Sequence, residues 1–134
     1  MPKQVRPSDT EKLTINLGHI DLGRIDLLVA EGFYTNRTDF IRAAIRAQLV
    51  QHAAEVGALV ERRALDLGLR HVTRTELEAA RLRGEVLHLR VVGLARLAAD
   101  IPADLAREVI GSITVLGSLQ APADLKAALR DRIT

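Results

Sequence analysis

The chain has 134 residues, 48% of them apolar and 27% charged, with a net charge of +2 and no cysteine. This length and balance suit one globular domain or two small ones, and the lack of cysteine excludes disulfides and thiolate metal sites. No apolar run could serve as a signal peptide or span a bilayer, so a cytoplasmic protein without a membrane partner is expected.

Charge is spread evenly. Residues 1 to 50 hold seven Lys or Arg against six Asp or Glu, and the remainder holds twelve against eleven. Any affinity for nucleic acid must therefore come from placement and not from bulk charge.

Residues 1 to 10 hold Pro2, Pro7, Ser8 and Asp9 without periodicity and read as a flexible arm carrying Lys3 and Arg6. Lys12-Leu13-Thr14-Ile15-Asn16-Leu17 then alternates strictly, with apolar side chains on one face and polar ones on the other. That period of two predicts a half-buried strand. No second strand follows within hairpin distance. From Gly18 to Glu31 the spacing turns helical, with Leu22, Ile25 and Val29 on one face, and Gly32 stands where a helix ends in a positive φ.

Asn36 is placed to cap a second helix, and the carboxylate of Asp39 can reach back to its free amides. Ile41, Ala44, Ile45, Gln48, Leu49 and His52 form its stripe. The helical rhythm persists through Gly57, where a bend is expected, to about Leu67-Gly68. A strand with unmet backbone groups needs a partner, and the same strand from a second copy, antiparallel across a two-fold axis, supplies one.

Thr73-Arg74-Thr75-Glu76 is a capping box that starts a helix with Leu77, Ala80 and Leu82, ending at Gly84. Val86 to Val92 alternates again, Gly93 breaks it, and Leu94 to Ala98 adds a further extended piece. Pro102-Ala103-Asp104-Leu105 recurs as Pro122-Ala123-Asp124-Leu125, each opening a short helix behind a glycine-containing apolar segment. Two strand-turn-helix units follow from this echo. So few strands are expected to close a core only by stacking against another subunit.

The order KLTINL, short helix, Gly-x-Tyr-x-Asn-Arg-Thr-Asp-Phe-Ile-Arg-x-Ala-Ile-Arg resembles the ribbon-helix-helix family of DNA-binding proteins, of the Arc, MetJ and CopG type, over residues 11 to 50. The resemblance implies an intermolecular two-stranded antiparallel ribbon in an obligate dimer, entering the major groove of double-stranded DNA. Its base-reading positions carry over to Lys12, Thr14 and Asn16, whose donors, hydroxyl and amide suit base edges. Its phosphate anchor at the second helix carries over to Asn36, Arg37 and Thr38, with Lys3 and Arg6 tracking the backbone. Asp39 departs from that pattern, because a carboxylate weakens a phosphate site.

The fold class expected is mainly α with short β: a flexible arm at 1–10, a ribbon-helix-helix domain with an extended second helix at 11–68, and a small αβ module at 69–134 for oligomerisation. His19, His52, His71 and His88 show no ligand spacing, so no metal or other cofactor is expected. A nickel-sensing branch of the family carries several histidines and a cysteine in its C-terminal domain, and His88 alone cannot supply that site. No phosphate loop, nucleophile elbow or apolar carboxylate pair appears, so no catalytic residue is expected. The resulting expectation is a sequence-specific repressor, a dimer assembling to a tetramer, nucleoid-associated when bound to DNA. An antitoxin masking a toxin partner with its C-terminal region is the alternative, set back by a region that is long, apolar and patterned. A scaffold that positions DNA is a third.

Overall fold

The computed structural model describes residues 10–134, so Lys3 and Arg6 lie outside the described residues. The chain is mixed helix and strand and forms two compact units, divided between Gly57 and Ala58.

In the first unit, α1 spans His19–Ala30 and α2 spans Arg37–Gln51. The turn between them follows from local chemistry. Gly32 adopts φ +85°, its amide donates to the Val29 carbonyl at 3.1 Å, and the Phe33 amide donates to Leu28 at 3.0 Å. Those bonds satisfy the last carbonyls of α1. On the far side the Asn36 side chain accepts from the Asp39 amide at 2.8 Å, and the Asp39 carboxylate accepts from the Thr35 amide at 3.0 Å. Tyr34 and Phe40 meet edge to face, with centroids 5.0 Å apart.

The helix after α2 departs from the sequence expectation. α2 stops at Gln51, His52 forms a turn, and α3 runs over Ala53–Arg62 with Gly57 inside it. The interruption thus falls at His52 and not at Gly57. Nor does helix persist to 67–68: Ala64 takes a left-handed φ of 50°, the Leu65 amide donates to Val60, and Asp66–Val72 becomes the first strand, β1. Strand pairing overrides a helical rhythm that those residues also fit.

The second unit alternates strand and helix: β1, α4 (Arg74–Leu82), β2 (Leu87–Leu97), α5 (Ala103–Val109), β3 (Ile110–Gln120) and α6 (Ala123–Ala128), then a 3-10 turn at Arg130–Arg132. The three strands form one parallel sheet in the order β1-β2-β3. Three strand-helix units are therefore stacked, one more than the Pro-Ala-Asp-Leu echo reveals. The first lacks that signature and opens its helix with the capping box instead, the Thr73 hydroxyl accepting from the Glu76 amide at 3.2 Å.

What the three units share is a glycine. Gly68, Gly93 and Gly117 stand side by side in the strand register, with φ of +119°, +134° and +121°. A Cβ on Gly93 would collide with the Gly68 carbonyl oxygen, and one on Gly117 with that of Gly93. Gly93 consequently does not break the strand as the sequence suggests. β2 passes straight through it, because its backbone shape matches that of its neighbours.

One face of the sheet carries the core. Val72, Leu89, Leu97 and Ile113 pack there with Leu77 and Ala80 of α4, Leu105, Ala106 and Val109 of α5, and Leu125 of α6. Leu82, grouped with α4's apolar residues in the sequence, is exposed. The unit closes this core by itself, contrary to the expectation that it needs another subunit to do so. The chain's last turn seals the β3 end. Arg132 donates to the Ile110 carbonyl at 2.7 Å, Arg107 pairs with Asp131 at 3.0 Å, and Ile133 bridges to Ile113 beside β3.

Candidate nucleic-acid interface

The alternating segment precedes α1. Residues 12–17 form no strand ladder in the single chain, and among the described residues no strand pairs with them. Their apolar members are left in the open: Leu13 is 79% exposed, and Ile15 and Leu17 are exposed as well. Ile15 and Leu17 border a cavity of about 430 Å³ whose walls include Ile25, Leu28, Phe40 and Ile45. An open apolar hollow of this kind, beside an alternating segment that joins no strand ladder, is not a finished core. Ile25 is the only described residue of this unit that is buried and apolar.

Lys12, Thr14 and Asn16 are exposed, and no hydrogen bond ties their side chains to the described residues. They are thus available to an external partner. The α2 N-terminus is more occupied. Asn36 and Asp39 are engaged in capping, while Thr38 is exposed. Asp39, a concern for anion binding on sequence grounds, spends one carboxylate oxygen on the Thr35 amide.

Arg37 is held in a way the sequence does not disclose. Its Nε donates to Asp26 Oδ1 at 2.7 Å and its Nη2 to Asp26 Oδ2 at 2.8 Å, a fork-to-carboxylate pair between α1 and α2. The hydrogen bond from Arg37 holds the Asp26 carboxyl below its ordinary range and raises Arg37 in turn. Both groups remain half exposed. Three of the five guanidinium donors are left over, so the pair orients Arg37 without exhausting it. Asp26 is therefore a partner of Arg37 that the helical pattern of α1 does not disclose. Arg42 and Arg46, one turn apart on α2 and exposed, are further cations that the sequence reading passed over.

Among the described residues no helix is long and apolar enough to cross a membrane, and no three His, Asp or Glu side chains converge as a metal site would require. No curated protein and no solved structure matches the chain. Residues 8–126 match the ribbon-helix-helix transcriptional regulator family. That match extends well beyond the 11–50 segment, through the whole three-stranded sheet and into α6, so the repeated unit lies within what the family describes. The chain belongs to the ribbon-helix-helix transcriptional regulator family.

Proposed function

We propose that the chain is a dimeric repressor that reads the major groove with a β-ribbon built from residues 12–17 of two copies. One observation carries this reading. A strictly alternating segment lies outside any helix or strand ladder of the described residues, and its Ile15 and Leu17 border an open apolar cavity. Antiparallel pairing with the same segment of a second copy would satisfy its backbone and cover Leu13, Ile15 and Leu17 together. The opposite side would then present Lys12, Thr14 and Asn16 to base edges. Asn36, Arg37 and Thr38 would meet phosphate at the start of α2, aided by Lys3 and Arg6 from the arm. The second unit would join dimers into a tetramer, in which linked sites offset the sparse positive charge of each one. A folded second unit with its own core lends the antitoxin alternative no support.

The test is a gel-shift titration on a duplex selected from a random pool, beside a scrambled control. Asn16→Ala is expected to weaken binding to the selected duplex by about 1–3 kcal/mol while leaving the control nearly unchanged. Equal loss on both duplexes would remove Asn16 from base reading. Arg37→Ala is expected to weaken both duplexes alike and to flatten the salt dependence. Asp26→Asn, which frees the guanidinium, should steepen it.

A further inference from the structure

The second unit has two unlike sheet edges. On the β3 side, the Ile113 carbonyl takes the Thr134 amide at 2.9 Å and the Ile110 carbonyl takes Arg132. On the β1 side, nothing described pairs with the strand. Leu67 and Leu69 there are 65% and 52% exposed. Gly68 repeats the positive φ of Gly93 and Gly117, yet the place its Cβ would occupy faces open space. The glycine column thus reaches the edge of the sheet and stops with its next position unfilled.

We propose that β1 of a second copy fills that position, antiparallel across a two-fold axis through Gly68. This deepens the assembly reading above, on which it rests, by naming the surface. The strand's own sequence specifies the register. Asp66-Leu67-Gly68-Leu69-Arg70 is self-complementary about its central glycine. Reversed against itself, it sets Leu67 opposite Leu69, Gly68 opposite Gly68 and Asp66 opposite Arg70, whose guanidinium also holds Glu76 within its own chain, each pair on one face. Opposite charges and matched apolar side chains directly across an antiparallel pair stabilise it, whereas like charges there oppose it. A shift centred on Leu69 would instead set Asp66 against Val72 and Leu67 against His71.

The pairing also extends the sheet's uncovered face. Within one unit the register places Leu67, Val92 and Leu116 in one row, and Leu69, Leu94 and Ser118 in the next. Across the two-fold, the first row of one copy runs into the second row of the other, in a six-stranded sheet. Since the β3 edge is partly taken, head-to-tail addition, which would build a fibre, is disfavoured against the closed pair.

The test uses two full-length variants, Leu67→Lys with Leu69→Lys, and Leu67→Glu with Leu69→Glu. Both positions are exposed, so circular dichroism of either variant should match the native chain. Mass by light scattering and amide hydrogen exchange along Asp66–Val72 are then read up to hundreds of micromolar. In the native protein every amide from Leu67 to His71 should be protected. Each variant alone should expose alternate amides and lose the association made through β1, and an equimolar mixture of the two should recover both. Native protein in which alternate β1 amides exchange freely at the highest concentration would overturn the proposal. So would variants that keep the native mass and protection. A native tetramer that survives in both variants would leave assembly standing and remove this edge from it. A native dimer whose β1 amides are protected, and lose that protection in the variants, would support edge pairing inside one dimer and end the tetramer reading.

Discussion

The two units obey opposite rules of burial. Residues 58–134 enclose a continuous core against one face of a sheet, with Leu77, Ile110, Ile113, Leu125 and Leu129 fully buried. The described part of residues 1–57 has two helices joined by a hydrogen-bonded turn and an apolar segment, yet buries little beyond Ile25. Leucines and isoleucines are present in both. What differs is whether the chain itself supplies the opposing surface. The second unit does so by stacking strand-helix repeats, each burying the flank of the one before. The described part of the first unit has an unpaired alternating segment and two helices that meet at one turn, too little to enclose a core, and its apolar surface stays open.

The largest expected effect tests how the second unit is closed. Gly117→Ala puts a methyl group into the Gly93 carbonyl oxygen in a backbone conformation that already disfavours alanine. A loss of about 3 kcal/mol or more is expected in urea unfolding followed by circular dichroism. Measured at dilution below any pairing of β1 with a second copy, Gly68→Ala meets only the backbone strain, since its Cβ site is open in the single chain, and should cost about 1–2 kcal/mol. Equal losses at the two positions would mean that the column is not held by contact between neighbours.

A smaller effect separates the units by concentration. Ile45 is 51% exposed and lines the apolar cavity of the first unit. If a partner covers it, Ile45→Ala should cost about 1–3 kcal/mol and make the Tm rise more steeply with protein concentration. A loss within about 0.5 kcal/mol, independent of concentration, would be the behaviour of an ordinary surface residue. It would leave the first unit without a partner at this face.

The smallest effect concerns pH and belongs to the second unit. Arg70 Nη1 donates to Glu76 Oε2 at 3.1 Å, and that hydrogen bond holds the Glu76 carboxyl below its ordinary range, against a weaker opposing effect of burial. Because the folded value lies below the unfolded one, the pair stabilises the fold above the ordinary glutamate range. That contribution is lost as pH falls through the lower, folded value. With both side chains about 30% exposed, roughly 1 kcal/mol or less is at stake. Glu76→Gln should thus be slightly less stable than the native chain at pH 7, and the gap should close in acid. A gap that persists at pH 3 would assign the difference to packing.

Local chemistry along the chain suffices for whatever is settled within a few residues. The Asn36 and Asp39 cap, the Gly32 turn, the Thr73 and Glu76 box and the two Pro-Ala-Asp-Leu helix starts all stand where local chemistry puts them, because each depends on bonds spanning four or five residues. The alternation of residues 12–17, with the Asn-Arg-Thr-Asp helix start behind it, was enough to identify the family, since polarity pattern and turn chemistry are local as well. The rest depends on which elements meet in three dimensions. β1 carries a glycine at its centre and follows a helix without a break in apolar rhythm, so its strand character exists only through its register with β2. Gly93 looks like a strand breaker until Gly68 and Gly117 are seen beside it, each most of one repeat away in sequence. The Arg37 and Asp26 pair joins two helices through their packing angle, which no spacing in either helix encodes. Backbone hydrogen bonding between distant strands and side-chain meetings between elements are decided by three-dimensional neighbours, and a linear pattern specifies only which faces are available to meet.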